Sequence, residues 1–190
     1  DGDVLAVLGG ADASFTGREV HRLVGHSSEE GVRRTLNRLV AHGVVLRREA
    51  GRAHLYRLNR EHLAAPAVEV LASLRLRLLD RLREAIGGWS IPPLAAAVFG
   101  SVARGEAGPA SDLDVLVVRP ANLEPDDPVW EDQLFALGRS ATAWTGNVTR
   151  LLELGQDELP DAGRVLRDAL AEGLFVAGSA HEVKRLTARA

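Results

Sequence analysis

Two short, unbroken apolar runs, Leu94–Phe99 and Leu113–Val118, constrain the fold of this chain more than any other feature. Each is of strand length. Between them lie Gly100-Ser101-Val102-Ala103-Arg104-Gly105 and a loop through Gly108-Pro109, and Asp112-Leu113-Asp114 leads into the second run. The spacing predicts a strand, a tight turn at Gly100-Ser101, and a second strand. With a period of two, Asp112 and Asp114 project from the same face of that second strand. Two carboxylates held so close repel unless cations lie between them. Such a pair suits Mg²⁺, which binds through one or two carboxylates together with substrate phosphates. Backbone N–H groups around Gly100-Ser101 can cradle a triphosphate, with Ser101 adding a hydroxyl and Arg104 a cation.

Composition removes most competing chemistries. The chain has 190 residues and no cysteine, which excludes disulfides, thiolate metal sites and a cysteine nucleophile and leaves oxygen ligands as the main basis for a metal site. Its six histidines lack the close spacing of a zinc site. No Walker loop or Gly-x-Gly-x-x-Gly is present, and Gly100-Ser101 lacks the flanking glycines of a nucleophile elbow. Trp89, Trp130 and Trp144 are expected to pack rather than stack on bases, and Asp126-Asp127 to cap a helix. No apolar run approaches the roughly 20 residues of a spanning helix, so a soluble cytoplasmic protein without membrane contact is expected.

The remaining elements predict an α+β chain. Helices are expected at Asp3–Leu8, from a Thr16 cap to Val24, and from Ser27 or Ser28 through Val40, where Ser27 and Glu30 have capping-box spacing. Val44–Arg48 and His54–Leu58 read as two strands joined through Ala50-Gly51, and Pro66 closes this unit. Ala67–Ile86 reads as one long helix, apolar over most of its circumference, which either joins two halves or forms a homodimer seam. Beyond the two apolar runs come a helix opened by Asp127-Pro128, a strand at Val148–Leu154, a helix at Ala162–Glu172, a strand at Leu174–Ala177 and a terminal helix at His181–Ala188. The organisation expected is a domain over 1–66, a linker or dimerisation helix over 67–88 and a mixed-sheet α/β domain over 89–190.

The charge is divided. The net charge of −3 combines a basic N-terminal half with an acidic C-terminal one, and the basic excess concentrates in residues 18–60. Three helices followed by a two-stranded ribbon resemble the winged helix-turn-helix of the MarR and ArsR kind. That resemblance implies a transcription regulator bound to double-stranded DNA, with Ser28–Ala41 in the major groove and the ribbon on the backbone or minor groove. Arg33, Arg34, Asn37 and Arg38 then face the bases and phosphates, and Arg47, Arg48 and Arg52 decorate the wing.

The stretch from Gly100-Ser101 through Ala103-Arg104-Gly105 to Ser111-Asp112-Leu113-Asp114-Val115 resembles the active-site signature of the DNA polymerase beta nucleotidyltransferase superfamily, especially its minimal bacterial members. The likeness extends loosely over residues 94–177. It implies that Asp112 and Asp114 are catalytic acids and Mg²⁺ ligands, and that Gly100, Ser101 and Arg104 hold the phosphates of an NTP. The family places a third carboxylate on a following strand. When Gly146 and the Leu152-Glu153-Leu154 end are aligned, Arg150 occupies that place, and Glu153 should face the other side. Three functional readings follow: a DNA-binding regulator whose second domain senses NTP and Mg²⁺, an active nucleotidyltransferase acting on a protein, RNA or small molecule, and an antitoxin-like interaction module.

Overall fold

Thr16 fixes the start of the second helix. Its hydroxyl accepts from the Glu19 N–H at 3.2 Å, and the Glu19 carboxylate accepts from the Thr16 N–H at 2.7 Å. This is a complete capping box, and the Thr16 hydrogen bonds hold the Glu19 carboxyl below the usual carboxylate range. The next helix uses Ser28, whose hydroxyl accepts from Gly31 N–H at 3.1 Å. The Ser27–Glu30 box expected from spacing does not form, because Glu30 turns to Arg33, with contacts at 2.8 and 2.9 Å.

The computed structural model describes residues 1–25, 27–105 and 111–188, so the expected loop through Gly108-Pro109 lies outside the described residues. The chain divides into two compact units, Asp1–Arg75 and Leu76–Ala190. The first runs α1 (Gly2–Gly9), β1 (Phe15–Thr16), α2 (Gly17–Val24), α3 (Glu29–Ala41), β2 (Val45–Ala50), β3 (Ala53–Leu58) and α4 (Ala65–Ala72). Its three strands are antiparallel in the order β1-β3-β2, with Phe15 opposite Tyr56. Two residues carry no readable periodicity, so β1 was not expected. Val4, Leu8, Val20, Val32, Leu36, Val45, Tyr56 and Leu58 fill the core.

The long helix expected over 67–86 is interrupted. α4 ends at Ala72, Ser73 follows, and α5 spans Leu74–Gly87. The Ser73 hydroxyl donates to the Val70 carbonyl at 2.7 Å, a local bond that competes with the helical ladder. Pro66, expected to close the unit, sits instead in the first turn of α4, where its missing N–H costs nothing.

The second unit contains most of α5, then β4 (Ala95–Phe99), α6 (Gly100–Arg104), β5 (Leu113–Arg119), α7 (Pro128–Thr145), β6 (Thr149–Gly155), a 3₁₀ turn at Gln156–Asp161, α8 (Gly163–Glu172), β7 (Leu174–Ala177) and α9 (Ala180–Thr187). The sheet order is β6-β5-β4-β7. β5 and β6 run parallel with α7 as their crossover, and the other pairs are antiparallel. Asp127 caps α7 as expected, accepting from Val129 and Trp130 N–H groups at 2.9 and 3.0 Å.

The apolar strands are unbroken because both faces of the sheet are covered. Ala96, Val98, Leu113, Val115 and Val117 pack with Leu82 and Ile86 of α5 and with Trp130, Leu137 and Ala141 of α7. Ala95, Leu116 and Val118 pack with Leu159, with Leu166 and Ala169 of α8, and with Val183 of α9. The tryptophans serve this core: Trp130 is fully buried, and Trp89 meets it edge to face at 5.4 Å. Gly173 ends α8 where a Cβ would come 2.1 Å from the Ala169 carbonyl oxygen, so only glycine fits there.

Candidate active site

Alternation along β5 decides which chemistry each face holds. Even-numbered positions point to the α8/α9 side, so Asp114 lies on the face of Leu116 and Val118, and period two carries Asp112, just before the strand, to the same side. Phe99, the last residue of β4, is the register partner of Asp114, so the chain turns into α6 beside that carboxylate. Gly100 makes this turn with φ +71°, and a Cβ there would lie 2.9 Å from Asp114 Oδ2. Glycine is therefore required twice over, by backbone conformation and by the closeness of the carboxylate. Ser101 follows, half-buried, in the first turn of α6.

β6 brings the third member. Its parallel register places Arg150 beside Asp114, on the same face, and the Arg150 guanidinium forms an ion pair with Asp112 Oδ2 at 2.8 Å. Burial raises the Asp114 carboxyl above the usual range; the Asp112 charge adds to this, and Arg150 acts in the opposite direction. Asn147, which the motif did not single out, donates from Nδ2 to the Ser111 carbonyl, and Leu113 N–H donates to the Val148 carbonyl at 2.9 Å. Together they tie the entry to β5 against the entry to β6 and fix the stretch that carries Asp112.

Glu153 lies on the opposite face. Three residues beyond Arg150, it accepts from Trp130 Nε1–H at 2.9 Å and from Arg119 Nε–H at 2.7 Å, on the α7 side. Arg104 of α6 pairs with Glu172 at the end of α8, at 2.5 Å. The sequence marks Glu172 only as the last residue of the helix Ala162–Glu172, and its partnership with Arg104 spans 68 positions with no local signal.

Two carboxylates without sulfur or imidazole form an oxygen donor set of the kind a single hard divalent cation takes, its remaining positions filled by phosphate or water. Among the described residues, no group of three or more histidine, aspartate or glutamate side chains gathers into a fuller site.

In the N-terminal unit, Arg33, Arg34, Asn37 and Arg38 lie exposed along α3. Glu30 pairs with Arg33 at 2.8 Å and with Arg34 at 3.9 Å, and Asp1 pairs with Arg38. Arg47, Arg48 and Arg52 stand exposed on the β2–β3 hairpin, with no ion pair among the described residues.

Residues 77–154 match the family model for the nucleotidyltransferase domain. No curated protein sequence matches the chain. Similar solved structures include a toxin–antitoxin protein crystallised with AMP-PNP, 16% identical over 58% of this chain and 82% of its own, with a TM-score of 0.42. The toxin–antitoxin MntA-HepT is 14% identical over 60% of this chain and 81% of its own, with a TM-score of 0.39. A Sulfolobus solfataricus protein assigned as a nucleotidyltransferase is 20% identical over 54% of this chain and 82% of its own, with a TM-score of 0.33. No described helix is long and apolar enough to cross a membrane.

Proposed function

We propose that the Leu76–Ala190 unit binds an NTP with Mg²⁺ and transfers its nucleotidyl group to an acceptor hydroxyl, whose oxygen bonds to the α-phosphorus as the α–β phosphoanhydride breaks, the hydroxyl proton passing to solvent and pyrophosphate leaving. The observation that carries this reading is the abutment of Asp114 on the Gly100 turn: Asp114 Oδ2 lies 2.9 Å from where a Cβ of residue 100 would be. A cation held by Asp112 and Asp114 would therefore sit beside the turn whose N–H groups, with the Ser101 hydroxyl, are suited to phosphate. The nucleotidyltransferase family match over residues 77–154 supports the same chemistry. When bound, Mg²⁺ would neutralise phosphate charge and polarise the phosphoryl oxygens. Gly100 and Ser101 would hold the phosphates, and Asp112 and Asp114 would hold the metal. The ion pair with Glu172 gives Arg104 a second role, fixing α6 against α8.

The test is transfer of label from α-labelled NTP, with Mg²⁺, to the protein itself or to components of a lysate. The expected result is labelled product with wild type and none with Asp112→Asn. Absence of label together with no thermal shift by any Mg²⁺–NTP would overturn the reading.

A second reading concerns the Asp1–Arg75 unit, taken as a winged helix-turn-helix that contacts double-stranded DNA and makes the chain a dimeric regulator. It is favoured by Arg47, Arg48 and Arg52 on the hairpin, which are exposed and form no ion pair among the described residues. Because the α3 arginines already have acidic partners, the hairpin should supply the larger share of phosphate contact. Replacing all three hairpin arginines with alanine is expected to lower the salt slope of DNA binding by about three, one per lost phosphate contact. An unchanged slope in a salt titration would count against the assignment.

A further inference from the structure

We propose that Arg150 takes the place of a second divalent cation: it holds Asp112 while the site is free and turns to the triphosphate when NTP enters with a single Mg²⁺. The inference rests on the nucleotide-binding reading above and concerns how that site balances charge. Three observations carry it.

The first is the contact itself. Arg150 Nη2 lies 2.8 Å from Asp112 Oδ2, so one of the two metal-binding carboxylates already has a cation. The second is mobility in a chemical sense. The Arg150 side chain is 70% exposed and that of Asp112 29%, so water screens the pair and a divalent ion can displace it. The third is the shortage of ligands among the described residues. No third carboxylate or imidazole gathers there with Asp112 and Asp114, and the register puts Arg150 beside Asp114 on β6. Glu153, the acid nearest in sequence on β6, is on the opposite face and already accepts from Trp130 and Arg119.

The consequence follows from charge. When Mg²⁺ takes the Asp112 carboxylate, Arg150 loses its partner beside an incoming triphosphate that carries more negative charge than one Mg²⁺ neutralises. The planar guanidinium fork matches two phosphate oxygens, and its long exposed stem lets it move without disturbing β6. A guanidinium held in that space also opposes a second dication by direct repulsion. Arg150 is thus a positioning and charge-balancing group that sets the metal stoichiometry of the site at one.

The experiment counts metal directly. The full chain is titrated with Mn²⁺ in the presence of a non-hydrolysable NTP analogue, and bound Mn²⁺ is measured by electron paramagnetic resonance against bound nucleotide. Wild type is expected to hold one Mn²⁺ per nucleotide and Arg150→Asp two. Arg150→Gln should keep one Mn²⁺ but bind the nucleotide about tenfold more weakly, having lost a charged hydrogen-bond donor, and Arg150→Lys should fall between. Two Mn²⁺ per nucleotide in wild type, one in Arg150→Asp, or an unweakened Arg150→Gln would each overturn the inference and leave the nucleotide reading standing. If the folded wild type binds no nucleotide at all, that reading falls and this one with it. Position 150 is exposed, so the variants should fold, and circular dichroism verifies that they do.

Discussion

Replacing Asp114 with asparagine is expected to raise the melting temperature of the free protein at pH 7 by about 1–3 °C while abolishing the Mg²⁺-dependent NTP binding proposed for this site. The two effects share one cause. Asp114 is partly withdrawn from water on the α8 side of the sheet with Asp112 close by, and its carboxyl is held above the usual range despite Arg150. A carboxyl whose folded pKa is raised costs stability whenever it is ionised. The cost is fully present above the folded value, is relieved as pH falls through that value, and is gone below the unfolded one. Asparagine keeps the shape and removes the charge, so the variant should melt higher at neutral pH, and the gap should close as the solution is acidified. Binding should move the other way. NTP with Mg²⁺ at 100 times its dissociation constant would stabilise wild type by about 2.7 kcal/mol, a shift of roughly 5–10 °C for a chain of this size. With Asp114 holding the metal as proposed, its loss should weaken binding by about a hundredfold or more and erase that shift. Differential scanning fluorimetry with and without Mg²⁺–NTP, from pH 4 to pH 8, reads both effects. An Asp114→Asn protein that melts lower than wild type at pH 7, or still shifts with nucleotide, would contradict the site.

The contrast between what could be read from the sequence and what could not is itself physical. The unbroken apolar runs and the two aspartates were legible because strand periodicity is local: residues 112 and 114 must share a face whatever surrounds them. The opposed placement of Arg150 and Glu153 was legible for the same reason. The Arg150–Asp112 contact was not, since it depends on β5 and β6 running parallel in one particular register, which α7 imposes from outside both strands. The Arg104–Glu172 pair was hidden likewise, as α6 and α8 meet only through tertiary packing. Two elements failed locally. β1 is too short to show a period, and the helix over 67–86 has an unbroken apolar stripe that outweighed the one residue, Ser73, whose hydroxyl can interrupt it.

Glu153→Ala separates the two faces of the sheet by experiment. Glu153 is the acid most easily mistaken for a third metal ligand, because it lies three residues from Arg150 on the same strand. Its surroundings assign it a different task. Arg119, whose side chain is only 9% exposed, donates Nε–H to Glu153 and a second N–H to the Leu123 carbonyl, and the fully buried Trp130 donates its indole N–H to the same Glu153 oxygen. Alanine would leave a buried guanidinium without its counter-charge and an indole N–H without an acceptor. Breaking such a pair from one side commonly costs about 3–5 kcal/mol when both partners are dry. Glu153 is 26% exposed, and with water partly compensating, a loss of about 2–3 kcal/mol is expected. The urea midpoint should fall accordingly, while nucleotide affinity per folded molecule stays as in wild type. Removing both charges together in Arg119→Met/Glu153→Leu should recover much of the lost stability, because a well-packed apolar pair avoids the desolvation that the ion pair must offset. If Glu153→Ala instead left stability intact and lost nucleotide binding, the metal-binding face would have to be reassigned to the α7 side of the sheet.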